Sequence, residues 1–316
     1  MQRVHHIHQI ALRFHHGIDG LVCHRSFIDD VRVLTALDAG GLLPSLKARF
    51  GVFFCGQMSS YNWPPIILVV SIIMASKTAS AETLTNRVDN FDWQQISREL
   101  DQQGNSLLKG LLTSEECDAL RALYPGEEYF RSRIVMERFN FGRGEYKYFK
   151  YPLPNLVSEL REALYPHLEP VANRWNELMG IDVRYPKEHS EFIALCHKAG
   201  QRKPTPLLLQ YGPGDFNCLH QDLYGEHVFP IQITILLSHS GRDFTGGEFV
   251  LTEQRPRMQS RAEVVPLDKG DAVAFAVNYR PVQGKRGYYR VNFRHGVSRV
   301  RSGRRYTLGI IFHDAN

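Results

Sequence analysis

The sequence predicts an α+β protein: a double-stranded β-helix (jelly roll) in the C-terminal half, with N-terminal helices packed on it. Three observations predict this. Short β-rich runs recur after about residue 190, with Gly, Pro, Asp and Asn between them. Helix patterns with recognisable start and stop signals occupy the stretch before. The apolar fraction of 43% and charged fraction of 22% are those of a globular chain with a core.

From the N-terminus, residues 1–73 look unlike the rest. "MQRVHHIHQIALRFHHGIDGLVCH" holds six of the 14 histidines, at irregular spacing and with few acidic partners, which argues against a metal tract. The apolar run Ile66–Ala75 is ten residues long, whereas a membrane-spanning helix needs about 20. Ala79-Ser80-Ala81 resembles a signal-peptidase site, but the apolar run before it lies too far from the start for a signal peptide. The expectation is that 1–73 is poorly ordered or not part of the working protein, and that Met74 is a natural start. Residues 74–90 read as a polar tail. Residues 91–316 read as the folded domain, helical over 91–189 and jelly roll over 190–316.

Within that domain "NFDWQQISRELDQQG" predicts an amphipathic helix closed by Gly104. "LLTSEECDALRALYPG" places Thr113 and Glu116 at capping-box spacing ahead of Leu120 and Leu123, then a Pro-Gly stop. "LPNLVSELREALYPHLEPVANRWNELMG" predicts one or two helices, interrupted at Pro166 and Pro170 and ended by Gly180. The strands follow as "PLLLQYG", "IQITILLS", "GEFVLTE", "AEVVPL", "AVAFAV", "YYRVNFRHGV" and "YTLGIIFHD".

The bulk numbers narrow the function classes. A net charge of +5 fits an anionic partner without requiring one. Five cysteines, an odd and scattered set without CxxC, read as reduced thiols of a cytoplasmic protein rather than a disulfide framework.

"QYGPGDFNCLHQD" carries the chemistry. A strand ends at Tyr211, Gly212-Pro213-Gly214 turns the chain, and a second run delivers His220 and Asp222. On a strand, residues i and i+2 share a face. An imidazole and a carboxylate are two members of the 2-His-1-carboxylate facial triad, which holds Fe(II) and leaves positions open for cosubstrate and O2. His295, 73 residues after Asp222 and closing a β-rich run, fits as the third. Arg305, ten residues further in the next strand, can clamp a dicarboxylate as a fixed cation. The rivals are weaker. His227 lies beyond a turn, His239 is in the loop "SHSGRD", and the adjacent His313 and Asp314 face opposite ways on a strand. Cys218 suits zinc better than iron and reads as packing. Arg304 competes with Arg305.

These residues resemble the Fe(II)/2-oxoglutarate-dependent dioxygenase superfamily. "YxPGxxxxLHQD" (Tyr211 to Asp222) is similar to AlkB-type nucleic-acid demethylases, and "HGV…SGRRYTL" (His295 to Leu308) to the superfamily's final ligand and 2-oxoglutarate arginine. "TGGEFVL" and "LDKGDAVAF" look like prolyl-hydroxylase-type members. From about Leu107 onward the chain resembles an uncharacterised bacterial group of such oxygenases described as acting on damaged DNA. The resemblance implies iron ligation by His220, Asp222 and His295, with 2-oxoglutarate held by Arg305 and Tyr211. It also implies an oxidoreductase using Fe(II), 2-oxoglutarate and O2. Two positions depart from the AlkB pattern: Leu209 stands where an asparagine is expected, and Ile311 where a second arginine is expected.

The outer pocket decides the substrate. Basic residues beside aromatics hold phosphates and stack bases, and such loops occur at Arg255, Arg257, Arg261 and at Arg280, Lys285, Arg286, Arg290, with Tyr279, Tyr288 and Tyr289. "FGRGEYKYFKYPLP" (141–154) reads either as a substrate lid hinged at Gly142 and Gly144 or as a packed β-hairpin. The expected function is oxidative demethylation of alkylated DNA or related nucleic acid, with no membrane partner. A prolyl-type hydroxylase of a polypeptide, and a cupin-like module without activity, are the alternatives.

Overall fold

The computed structural model describes residues 83–316; the expectation for residues 1–73 lies outside them. Helix α1 (Leu84–Asp89) starts the described chain, followed by α2 (Trp93–Gln103), strand β1 (Asn105–Leu108) and α3 (Ser114–Leu123). Strand β2 (Phe130–Val135), a 3-10 turn (Met136–Phe139), β3 (Gly142–Arg143) and β4 (Glu145–Phe149) precede the long α4 (Asn155–Leu178) and α5 (His189–Lys198). The remaining strands are β5 (Leu207–Tyr211), β6 (Phe216–His220), β7 (Ile231–Leu236), β8 (Phe244–Gly246), β9 (Phe249–Gln254) and β10 (Arg261–Val265). The last are β11 (Ala272–Ala276), β12 (Tyr279–Gly284), β13 (Gly287–Val297), β14 (Val300–Gly303) and β15 (Arg305–Ile310).

Most strands form two antiparallel sheets, the predicted jelly roll, and β8 pairs with β14 in a separate two-stranded sheet. The larger has the order β1-β11-β7-β15-β5-β4-β2, and the smaller β10-β9-β13-β6-β3 with β12 added beside β13. β7 is buried at every position, as expected of a central strand covered on both faces. One cover is helical: Leu160, Leu164, Leu168 and Trp175 of α4 share a core with Ile233, Ile235, Leu308 and Ile310. The other is the smaller sheet, where Phe249 and Leu251 meet Val273 and Phe275.

Local chemistry explains the helix ends. The capping box forms as read, with Thr113 Oγ1 accepting from Glu116 N–H at 3.2 Å and the Glu116 carboxylate accepting from Thr113 N–H at 2.8 Å. Gly104 closes α2 at φ 79° and Gly180 follows α4 at φ 66°, conformations that cost glycine nothing.

Three expectations need correction, and one open choice is decided. α4 runs unbroken through Pro166 and Pro170. The two prolines are four apart and both lie on the exposed stripe. The carbonyls they leave without an N–H partner, those of Glu162 and Pro166, therefore sit on the solvent side, and the buried stripe keeps the helix continuous. The division at residue 190 does not hold: α5 extends the helical region to Lys198, and β1, β2 and β4 from the N-terminal half complete the larger sheet. The described end of the expected polar tail carries α1, whose Leu84 and Val88 are buried. Residues 141–154 are not a lid, because β4 is built between β5 and β2 and β3 pairs with β6.

Candidate metal and cosubstrate site

Two sheets that face one another leave a cavity of about 200 Å³ between them, lined by Tyr146, Tyr148, Tyr211, His220, Asp222, His295 and Arg305 among others. The register explains the meeting of the histidines. His220 on β6 and His295 on β13 are directly opposite across an antiparallel pair, and their ring centroids are 4.2 Å apart.

A bulge makes this possible. Between His295↔His220 and Val297↔Asn217, β6 spends three residue steps where β13 spends two. The extra residue resets the alternation of β6. Asn217 and His220, which plain alternation would put on opposite faces, therefore both line the cavity. Cys218 falls in the bulge and is exposed. That corrects the expectation that it packs. Its carbonyl accepts from His220 Nδ1–H at 2.8 Å. A carbonyl only accepts, so Nδ1 carries the proton and Nε2 keeps its lone pair for a metal.

Asp222 lies two residues beyond the end of β6, in the irregular segment that follows, so strand alternation alone does not bring it alongside. Its Oδ1 is 3.6 Å from His220 Nε2 and its Oδ2 is 3.4 Å from His295 Nε2. One donor atom from each of the three side chains lies within 4.8 Å of the others. Burial alone raises the Asp222 pKa, but the His295 and His220 imidazoles and the Tyr224 hydroxyl outweigh it and hold the carboxyl well below its usual range. Burial, then the facing His220, pulls His295 down. The anion and the neutral imidazole are the ligating forms.

Sequence reasoning missed a hydrogen-bonded tyrosine chain. Tyr224 O–H donates to Asp222 Oδ1 at 2.8 Å, and Tyr148 O–H donates to the Tyr224 hydroxyl at 3.0 Å. The i, i+2 tyrosines of "EYKYF" were the available signal for the cavity wall, since Tyr146 and Tyr148 both line it. Nothing in sequence spacing points to Tyr224.

Behind the cluster, Arg305 on β15 and Tyr211 on β5 are cross-strand partners, with the guanidinium 5.5 Å from the ring centroid. Arg305 is 1% exposed, whereas Arg304 is exposed. Arg305 Nη1 donates to Thr307 Oγ1 at 3.1 Å, while its Nε and the Tyr211 hydroxyl are buried without hydrogen-bond partners. Burial pulls the guanidinium down to about 10, so it is still a cation at neutral pH. Arg305 forms no ion pair among the described residues. An uncompensated buried cation costs several kcal/mol. These orphaned donors suit an anionic, oxygen-rich ligand such as a dicarboxylate. Leu209 also lines the cavity, and Ile311 is buried in an apolar cluster with Tyr148 and Leu207, so neither departure is replaced by a polar group in place.

The rivals lie elsewhere. His227 is held in a loop through its N–H on Gln201 Oε1. His239 faces Asp268 at 3.4 Å. His313 Nδ1 accepts from Phe229 N–H, and Asp314 is paired with buried Arg161 at 3.1 Å. Three of the expected basic residues are tied to one acid: Glu253 is 2.6 Å from Arg255, 2.6 Å from Arg280 and 3.6 Å from Arg261. Those three act as strand-tying ion pairs.

A His-x-Asp…His cluster and a buried arginine line one cavity of the double-stranded β-helix, an arrangement that could hold a metal ion and an anionic cosubstrate. Two imidazoles and a carboxylate, with no thiolate in the cluster, fit ferrous iron better than structural zinc. A family model described as "Oxygenase, catalysing oxidative methylation of damaged DNA" matches residues 144–315, more than half of the chain. The protein belongs to that oxygenase family and is an oxidoreductase. An uncharacterised protein of Mycobacterium tuberculosis, found in strains CDC 1551 / Oshkosh and H37Rv, is 48% identical over 167 residues, covering 53% of this chain and 72% of its own. Among solved structures, a Pseudomonas putida prolyl-4-hydroxylase aligns at TM-score 0.44 and 15% identity over 71% of this chain and 99% of its own. A 2OG-Fe(II) oxygenase-family oxidoreductase from Burkholderia pseudomallei aligns at TM-score 0.41 and 15% identity over 72% and 93%. Among the described residues no helix is long and apolar enough to cross a membrane.

Proposed function

We propose that the protein oxidatively demethylates alkylated bases in DNA or related nucleic acid, with iron on His220, Asp222 and His295 and 2-oxoglutarate on Arg305 and Tyr211. The observation that carries the reading is the 4.8 Å cluster in one cavity with an unpaired buried arginine. The family description supplies the damaged-DNA direction. An oxygenase removes electrons from its substrate, so the reaction it can perform at a methylated base is removal of the methyl group.

Bound at this cluster, Fe(II) would supply O2 activation for C–H oxidation. The chain's own residues do the rest. Arg305 pairs with the distal carboxylate of the cosubstrate, and the Tyr211 hydroxyl donates to it. Tyr224 fixes Asp222 through Oδ1, so that Oδ1 faces His220 and Oδ2 faces His295. Tyr146, Tyr148 and Phe141 give the cavity aromatic walls that exclude water and suit a planar base. Hydroxylation of an N-methyl group gives a hemiaminal, which loses formaldehyde and restores the base.

The test is succinate and formaldehyde release by purified protein with Fe(II), 2-oxoglutarate and O2, against methylated oligonucleotides and methylated or proline-containing peptides. Formaldehyde release with oligonucleotides alone is expected. A +16 mass shift on a peptide without oligonucleotide turnover contradicts the nucleic-acid substrate. No succinate with any substrate contradicts the enzyme.

A further inference from the structure

The 3-10 turn between β2 and β3 ends in two phenylalanines that point away from any core. Phe139 is 52% exposed and Phe141 47%. Their rings stack on each other, centroids 5.6 Å apart and planes 21° apart. Phe141 also lines the cavity, so the pair stands at its doorway.

The turn is anchored at several points. Met136 at its start is fully buried, its N–H donates to Gly144 carbonyl at 3.0 Å, and its carbonyl accepts from Phe141 N–H at 3.1 Å. Phe141 carbonyl accepts from Cys218 N–H at 2.9 Å, which ties the pair to the bulge beside His220. Asn140 between the rings is left-handed at φ 58°, a conformation in which asparagine is among the commonest non-glycine residues. Two apolar rings are thus held out in water on a fixed mount.

The surroundings are basic. Arg138 is exposed in the turn itself. Arg143, with Glu137 3.9 Å away, pairs across strands with Phe216, and Arg299 lies over the Phe216 ring at 5.8 Å. Three arginines against Glu137 and Asp215, around a doorway framed by aromatic rings, match a polyanion whose interior is apolar and stacked.

We propose that Phe139 and Phe141 form a wedge for duplex nucleic acid: Phe139 occupies the gap left when a base leaves the stack, and Phe141 guides that base into the cavity. This rests on the nucleic-acid reading above. A base stacked in a duplex cannot reach the His220–Asp222–His295 cluster between the sheets, so it must be extruded, and unstacking costs a few kcal/mol. Insertion of an apolar ring between base steps offsets that cost. A single strand needs no such help. The wedge therefore predicts a residue whose importance depends on strandedness.

The experiment uses the full chain with Fe(II) and 2-oxoglutarate and one oligonucleotide bearing a single methylated base, offered single-stranded and annealed to its complement. Phe139→Ala alters an exposed ring that does not line the cavity. It is expected to lower duplex turnover about tenfold or more, the worth of burying one aromatic ring, and to leave single-strand turnover within about twofold. Phe139→Trp should restore the duplex rate. A 2-aminopurine beside the target base should brighten on binding wild-type protein and not Phe139→Ala. Equal losses on both substrates, no loss on either, or wild-type protein that turns over only single strands would overturn the wedge and leave the demethylase reading standing. Turnover of neither oligonucleotide form would remove both.

Discussion

Asp222 is the residue on which the site turns. Its two oxygens face two imidazoles at 3.6 and 3.4 Å, and a third contact, from the Tyr224 hydroxyl at 2.8 Å, sets its orientation. Loss of a group that orients a ligand typically costs 10–100-fold in metal affinity. Tyr224→Phe should therefore weaken Mn(II) binding, used as a redox-stable probe and read by calorimetry, by about tenfold at least, while Tyr148→Phe, one bond further out, should change it less. Equal affinities in wild type and Tyr224→Phe would remove that role. Arg305→Ala should raise the 2-oxoglutarate concentration needed for half-maximal turnover by roughly 30-fold or more, the cost of truncating one partner of a buried charge pair. An unchanged requirement would shift the role to Arg304.

At the level of elements, the short pairing of β3 with β6 carries the doorway. Gly142 has φ 128°, and a Cβ there would meet Phe216 carbonyl oxygen at 2.3 Å. Gly142→Ala should cost about 1–3 kcal/mol of stability, seen as a lower urea midpoint, and should impair duplex turnover through the displaced turn. An unchanged midpoint would mean that β3 is not held in this register. The same elements show what could be read in advance. The seven β-rich runs after residue 190 each contain an observed strand, because alternation and turn residues are local signals. The candidates His220, Asp222, His295 and Arg305 could be singled out by type and spacing, and the structure brings all four to one cavity. The bulge at Cys218, the strands β1 and β2 and the survival of α4 through two prolines were not legible. Each depends on a partner far away in sequence: β13 for the bulge, the edges of the larger sheet for the strands, and the core beneath α4 for the helix.

For the whole molecule, two buried histidines link stability to pH. Burial, then Arg161, pulls His189 down to about 3, and burial, then Arg161, pulls His313 down to about 4. Both would titrate near 6.5 in the unfolded chain. Below about pH 6.5 the unfolded state therefore binds more protons than the folded one, and stability falls as pH falls, by up to about 1.4 kcal/mol per unit for each histidine until its folded value is reached. His189→Phe removes one of these groups along with its hydrogen bond to Phe312 carbonyl at 2.9 Å. The variant should be less stable at pH 7 yet show a shallower loss between pH 6 and about 4, measured as urea midpoints. Parallel curves for the two proteins would place the acid sensitivity elsewhere. The cluster, the Arg305–Tyr211 pair and Phe141 all line one cavity, so the central claim comes down to whether that cavity turns over a keto acid. The most direct measurement is conversion of 2-oxoglutarate to succinate by the purified chain with Fe(II) and O2, beside the folded Asp222→Ala variant. Succinate from the wild type and none from the variant is the predicted result; equal succinate from both, or none from the wild type, would contradict it.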